Sequence, residues 1–350
     1  MPAPVSPFQP YASVHVKTNG PGDARPSSFQ VVQDEKAIGA LKGRTVLITG
    51  CSSGIGVETA RALYETGATL FLTARDMPKL EKVIEEIVST AKYNKDGPRP
   101  QPIEIDLSSL DSVRKGAADF KSKSKQLNIL INNAGVMACP FGKTQDGFET
   151  QIGTNHFAHF LLFAEVKDLL LQSAKESGIP SRGINVSSAG HRAGGILFDN
   201  MNFENGGYEK FRSYGQSKTA NIYMANSIHR HFADQGLHGL SLHPGAIMTE
   251  LARHMTAEDE KLFGPEGMKG LLPIMKNPSQ GAATTVWAAV SKRFDDADNG
   301  GRYLAEVGES GPVTEGGMVP GGTGYCPHAY DEEAEEKLWK VTQEILKVQV

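Results

Sequence analysis

The sequence predicts a doubly wound α/β fold, a single domain in which helices flank a parallel sheet. Three observations predict it. Short apolar runs without polar alternation recur along the chain, stretches of helical apolar spacing separate them, and a glycine-rich loop follows the first run. Runs without alternation suit strands buried on both faces. Their regular exchange with helices implies β-α-β units.

The first strand is expected over residues 45–49 (TVLIT), followed by G-C-S-S-G-I-G at 50–56 and a helix that ends at Gly67. Residues 68–73 (ATLFLT) read as the second strand, and 77–92 as a helix with Pro78 near its start. A third strand is expected over 101–107, then a helix from Leu110 to Lys123. A fourth strand over 128–131 leads into N-N-A-G at 132–135. A long helix over 148–173, a strand over 183–186, a helix over 214–233 and strands over 239–243 and 301–305 complete the pattern. Ligands of such sheets bind beyond the carboxyl ends of the strands.

The 350 residues carry a formal net charge of −4, which argues against a nucleic-acid surface. Cys51, Cys139 and Cys326 are far apart and form no C-x-x-C, as expected in a reducing compartment without structural disulfides. No run approaches the ~18 apolar residues that a membrane span needs. The N-terminus has neither a signal-peptide core nor an arginine-rich amphipathic helix. The expected location is cytoplasmic. Proline, glycine and serine over the first 28 residues suggest an unpacked tail. The expected organisation is a flexible N-terminal extension (1–40), a catalytic domain (41–310) and a C-terminal extension with a helix (311–350). The acidic run 331–337 reads as a solvated helix face. His156 and His159, and His229 and His231, lack carboxylate or cysteine partners at ligand spacing, so no metal is expected.

Chemistry is concentrated in three places. T-G-x-x-x-G-x-G at 49–56 lies between a strand and a helix, where glycines let the backbone approach a pyrophosphate and the helix start favours negative charge. The next strand ends T-A-R-D (73–76). Ala74 stands where an NAD site usually puts an acid, and Arg75 suits the 2′-phosphate of NADP. Asp76 would restore an acid if the register moved by two positions. NADP is the expected cofactor. Finally, Tyr214 and Lys218 are four residues apart, one above the other on a helix face. A phenol near pKa ~10 is a poor acid-base catalyst at neutral pH until a neighbouring cation lowers that value.

The ordered set TGxxxGIG (49–56), D-L (106–107), NNAG (132–135), Asn155, Ser187 and Ser188 after a strand, YxxxK (214–218) and P-G-x-x-x-T (244–249) resembles the short-chain dehydrogenase/reductase family over roughly residues 42–310. DGFETQIGTNHFAHFLL (146–162), INVSSAGHR (184–192) and AYDEEAEEKLW (329–339) are similar to its retinol dehydrogenase and WW-domain oxidoreductase branch. The resemblance implies a Rossmann-type domain with Tyr214 as general acid or base. It implies that Lys218 lowers the pKa of Tyr214 and binds the nicotinamide ribose. Ser188 would hydrogen-bond the substrate oxygen, and Asn155 would help hold a water on a proton path to Lys218. Gly50, Ser52, Ser53, Gly54, Ile55 and Gly56 would hold the phosphates. Asp106 and Leu107 would meet the adenine, and Asn133, Ala134 and Gly135 the ribose. Pro244, Gly245, Ile247 and Thr249 would stand at the nicotinamide end.

Two departures qualify the resemblance. Twenty-six positions separate Ser188 from Tyr214, so the intervening residues read as an ordered loop near the substrate mouth. The membrane anchor typical of retinol-processing members is missing, which weakens a retinoid assignment. Residues 250–276, rich in Leu, Met and Phe with Gly264, Gly267, Gly270 and two prolines, read as a hinged lid over a moderately apolar substrate. The expected function is NADP(H)-dependent interconversion of an alcohol and a ketone or aldehyde, in specialised metabolism. The partner is a small carbonyl or alcohol substrate, and a homo-oligomer is compatible with this reading. A non-redox epimerase or dehydratase, and a catalytically silent NADP-binding regulator, are the alternatives.

Overall fold

The computed structural model describes residues 7–261, 268–314 and 322–350. Its strands are β1 (Thr45–Ile48), β2 (Thr69–Ala74), β3 (Gln101–Glu104), β4 (Ile129–Asn132), β5 (Ser181–Val186), β6 (Leu237–His243), β7 (Tyr303–Ala305) and β8 (Gly308–Glu309). They form one eight-stranded sheet in the order β3-β2-β1-β4-β5-β6-β7-β8, parallel except for the final β7–β8 pair. In register, Val46 faces Leu70 on one side and Ile129 on the other. The order reverses between β1 and β4, which opens a crevice beyond their carboxyl ends.

Successive strand residues feed opposite layers. Val46 and Ile48 join a core with α1 (Ile55–Tyr64) and α2 (Met77–Ser89), whereas Leu47 joins the other core, with α3 (Leu110–Lys123) and α4 (Ala158–Ser177). The second core also holds α5 (Lys210–Phe232) and α7 (Glu332–Leu346); the first holds α6 (Pro278–Val290). Side-chain caps start the helices: Asp76 takes the Lys79 amide of α2, and Ser109 that of Ser112 in α3.

Several expectations are corrected. The third strand stops at Glu104, and residues 105–107 leave the sheet towards the crevice. The helix expected over 148–173 begins at Thr150, widens into a π turn at Gly153–Phe157, and runs to Ser177. Helix α6 was not anticipated. Its small residues, from Ala282 to Val290 with Trp287 among them, carry no clear amphipathic period because the helix is buried all round.

The unpacked N-terminal tail is corrected for its described residues. Helix Ser28–Asp34 buries Val31 and Val32, and Glu35 accepts the Trp287 indole N–H at 2.9 Å. Arg25, almost fully buried, donates to the carbonyls of Gly20, Ile274 and Met275. Gly20 N–H donates to Pro273 O at 2.9 Å. Long-range hydrogen bonds to residues 273–275, beside local ones to Asp23, order this proline- and glycine-rich segment without a regular element. It therefore anchors the carboxyl end of the 250–276 stretch. Within that stretch Gly264, Pro265 and Gly267 lie outside the described residues.

The C-terminal residues are likewise integrated. Trp339 packs edge-on against Phe160 at 4.8 Å between ring centres. Within the acidic run Glu335 is buried, accepting from Asn226 Nδ2 and paired with Arg230, so the run is not simply a solvated face. No helix among the described residues is long and apolar enough to cross a membrane.

Candidate active site

The glycine-rich loop leaves β1 and enters α1 at the crevice. Gly56 permits a contact that no side chain would, since a Cβ there would fall 2.2 Å from the Gly50 carbonyl oxygen. Gly54, at φ +65°, occupies the left-handed region open to glycine. Asn133 braces the turn, its Nδ2 donating to Thr49 O at 2.8 Å. The loop thus presents the amino end of α1 to a cavity of about 660 Å³. Gly50, Ser52, Ser53, Gly54, Ile55, Gly56, Arg75, Asp106, Leu107, Asn133, Ala134 and Gly135 all line it. So do Tyr214, Lys218, Pro244, Gly245, Ile247 and Thr249. This cradle, closed to any Cβ at Gly56 and followed by a helix start, fits a dinucleotide pyrophosphate.

Arg75 and Asp76 diverge. Arg75 is exposed, lines the cavity, and has no hydrogen-bond or ion-pair partner among the described residues. Asp76 instead turns its carboxylate onto the start of α2.

Ser188 also lines the cavity, just beyond β5, with Tyr214 beside it: a Cβ on Gly190 would stand 2.7 Å from Tyr214 Cε1 and 3.4 Å from Ser188 Oγ. Gly190 N–H donates to Ser188 Oγ at 3.0 Å. Burial pushes the Tyr214 phenol up to about 12, and the neighbouring Ser188 hydroxyl offsets only part of that rise. Lys218 Nζ lies 5.6 Å from the Tyr214 ring centre and donates to Val186 O at 3.0 Å. Burial lowers its ammonium to about 8. The phenol is thus raised, whereas the resemblance implied a lowering.

Asn155 sits on the π turn behind this pair and does not line the cavity. Its Oδ1 accepts from Val136 N–H at 2.8 Å, and its Nδ2 donates to Val136 O and Ser217 Oγ, both at 2.9 Å. A Cβ on Gly135 would stand 3.1 Å from Asn155 Oδ1 and 3.4 Å from Lys218 Nζ, so both groups flank that glycine.

Sequence reasoning missed the supports of the site. His191 Nδ1 donates to Ser188 O at 2.7 Å, while its Nε2 accepts from Cys326 N–H at 3.2 Å. Lys276 is buried beneath Gly245 and pairs with Glu306 at 3.0 Å. No local spacing marks these residues, because Cys326 and Glu306, which fix them, are far away in the chain. The insertion between Ser188 and Tyr214 is ordered: Tyr208 O–H donates to Cys139 O at 2.7 Å, and Gln151 Nε2 to Lys210 O at 2.8 Å. The cavity is also lined by Met137, Cys139, Pro140, Met255, Leu271 and Met275.

The sequence profile of short chain dehydrogenases matches residues 44–260. The short-chain dehydrogenase/reductase prx1 of Penicillium roqueforti is 43% identical over 338 residues, covering 97% of this chain and 95% of that protein. Human retinol dehydrogenase 13 is 36% identical over 300 residues, covering 85% of this chain and 83% of that protein. A solved Mycobacterium paratuberculosis protein superposes with a TM-score of 0.64 at 30% identity, covering 88% of this chain and 95% of that one. Together with a doubly wound sheet that carries its glycine-rich loop and its Tyr214–Lys218 pair on one cavity, these matches place the chain in the short-chain dehydrogenase/reductase family, among oxidoreductases that use a nicotinamide cofactor.

Proposed function

We propose that the protein is an NADP(H)-dependent oxidoreductase that interconverts an alcohol and a ketone or aldehyde, with Tyr214 as general acid or base. The observation that carries this reading is Tyr214, buried beside Ser188 and Lys218 in the cavity that the glycine-rich loop opens into. A bound nicotinamide would supply or accept the hydride. Ser188 and Tyr214 would hold the substrate oxygen between two hydroxyls, and Tyr214 would give that oxygen its proton in reduction or remove it in oxidation. Lys218, cationic below pH about 8, would stabilise phenolate formed at Tyr214. Asn155 would hold the 135–136 backbone against Lys218, keeping a proton path short.

Arg75 supports NADP over NAD, because its unpaired guanidinium faces the cavity and is suited to a 2′-phosphate. The capping role of Asp76 supports the same choice, since that carboxylate is already engaged at the α2 amide. The methionines in the cavity lining support a moderately apolar substrate under a lid formed by 250–276.

The test is NADPH oxidation against a panel of ketones, aldehydes and quinones, with NADH in parallel. Turnover with NADPH well above that with NADH is expected. Substrate conversion with no net change in the cofactor would replace this reading with an epimerase or dehydratase. Tight NADPH binding without any conversion across the panel would favour a silent regulator.

A further inference from the structure

Two buried histidines, His156 and His159, stand at the turn that carries Asn155, and the hydride-transfer reading uses neither. The His156 ring faces away, with Nε2 3.1 Å from Thr342 Oγ1 on α7. His159 instead meets one arm of the site with each ring nitrogen. Its Nδ1 lies 2.9 Å from the Asn155 carbonyl oxygen, and its Nε2 lies 2.9 Å from the Thr49 hydroxyl.

The proton positions in this contact follow from the partners. A carbonyl oxygen only accepts, so Nδ1 carries the proton and Nε2 accepts from the Thr49 O–H. Thr49 Oγ1 in turn accepts the amides of Asn133 and Ala134, at 2.9 and 3.0 Å. The competing acceptor for the threonine proton, Ile131 O, is 3.5 Å away and is the poorer partner. Hydrogen bonds therefore run one way, from the 133–134 amides through Thr49 and His159 to Asn155. Burial keeps the ring neutral, its pKa pushed down to about 4, as this pattern requires.

The network continues towards the chemistry. Asn155 Nδ2 donates to Ser217 Oγ, which donates to the Tyr214 carbonyl at 2.7 Å. At the other end Thr49 opens the glycine-rich loop, and Ala134 lines the cavity beside it. A π turn departs from the regular helical ladder, and a carbonyl on it can take a side-chain partner. His159 is such a partner for Asn155.

We infer that His159 is a positioning residue whose neutral ring joins the Asn155 turn to the dinucleotide loops, so that cofactor and catalytic groups are held in one register. This inference rests on the oxidoreductase reading of the site. A misplacement of order 1 Å behind a reacting centre can cost about 100-fold in rate, which sets the scale of effect.

The two bonds are separable by substitution. In His159→Asn the amide nitrogen stands near the position of Nδ1 and keeps the bond to Asn155. In His159→Gln the amide group reaches the position of Nε2 and keeps the bond to Thr49. His159→Leu keeps neither. For each variant the measurements are NADPH affinity by ligand fluorescence, kcat and KM on a carbonyl that the wild type reduces, and amide exchange over 133–136 and 153–157. His159→Leu should weaken NADPH and lower kcat by about 10- to 100-fold, with faster exchange in both segments. His159→Gln should recover NADPH affinity but not kcat, and His159→Asn should recover kcat more than affinity. A purely space-filling histidine would give all three variants the same profile, and that outcome overturns the inference. If His159→Leu does not fold, Thr49→Val decides: unchanged NADPH affinity in that variant overturns the inference as well. Should the wild type reduce no carbonyl, the hydride-transfer reading fails on its own, while NADPH affinity and exchange still test His159.

Discussion

Lys218 Nζ stands 5.6 Å from the centre of the Tyr214 ring and is tied to Val186 O at the end of β5. The helix holding both residues is therefore fastened to the end of β5 through the Lys218 ammonium. Tyr214→Phe removes the hydroxyl while leaving this fastening in place. It should keep NADPH binding and lower turnover by at least ~100-fold, the scale of lost acid-base catalysis. Near-normal kcat in that variant would remove Tyr214 from the mechanism.

The same pair sets an alkaline limit. Lys218 is cationic below about 8 and neutral above it, because burial disfavours its charge. The phenol, pushed up to about 12, stays protonated across that range. Carbonyl reduction should therefore fall as pH rises through about 8. Lys218→Arg, slower but charged at every accessible pH, should lose that limb. An unchanged limb in the arginine variant would assign it to another group.

Arg75→Ala probes cofactor choice. It should weaken NADPH by roughly 1.5–3 kcal/mol, the range for hydrogen bonds to a charged group, and leave NADH nearly unchanged. Equal weakening of both cofactors would assign Arg75 to the fold.

Arg25→Met tests the packed N-terminal segment. The substitution leaves the carbonyls of Ile274 and Met275 without their side-chain donor and Asp23 without its cation. Removing one partner of a buried pair costs about 3–5 kcal/mol. Denaturant unfolding should report that loss, and limited proteolysis should cut near 250–276 more readily. Unfolding within about 0.5 kcal/mol of wild type, the scale of an ordinary surface substitution, would show that the segment is dispensable to the fold.

Acid should unfold the protein through its histidines. Burial lowers His156 and His243 to about 3 and His159 to about 4, so these rings are neutral in the native state. Below an ordinary pKa near ~6.5 the unfolded chain binds protons that the native state does not, so stability falls as pH drops from there towards 4. Each such ring accounts for about 2 kcal/mol between pH 7 and pH 5. In His156→Gln the loss of stability over that interval should shrink by about this amount. Equal losses in variant and wild type would show that His156 is protonated in the folded protein.

The sequence by itself determined the sheet, the crevice and the residues around it. Apolar runs such as 45–49 and 68–73 stay within one element, and motif residues such as Gly56 or Tyr214 owe their roles to neighbours a few positions away. Tertiary structure decided what surrounds and supports them. Arg25 is ordered by carbonyls 249 and 250 residues further along, and Asn226 finds Glu335 across 109 positions. Helix α6 escaped notice because a helix buried on every side has no polar face to reveal its period. Buried polar groups take whatever partner the fold brings to them, and His159 between Asn155 and Thr49 is a case that spacing alone does not reveal.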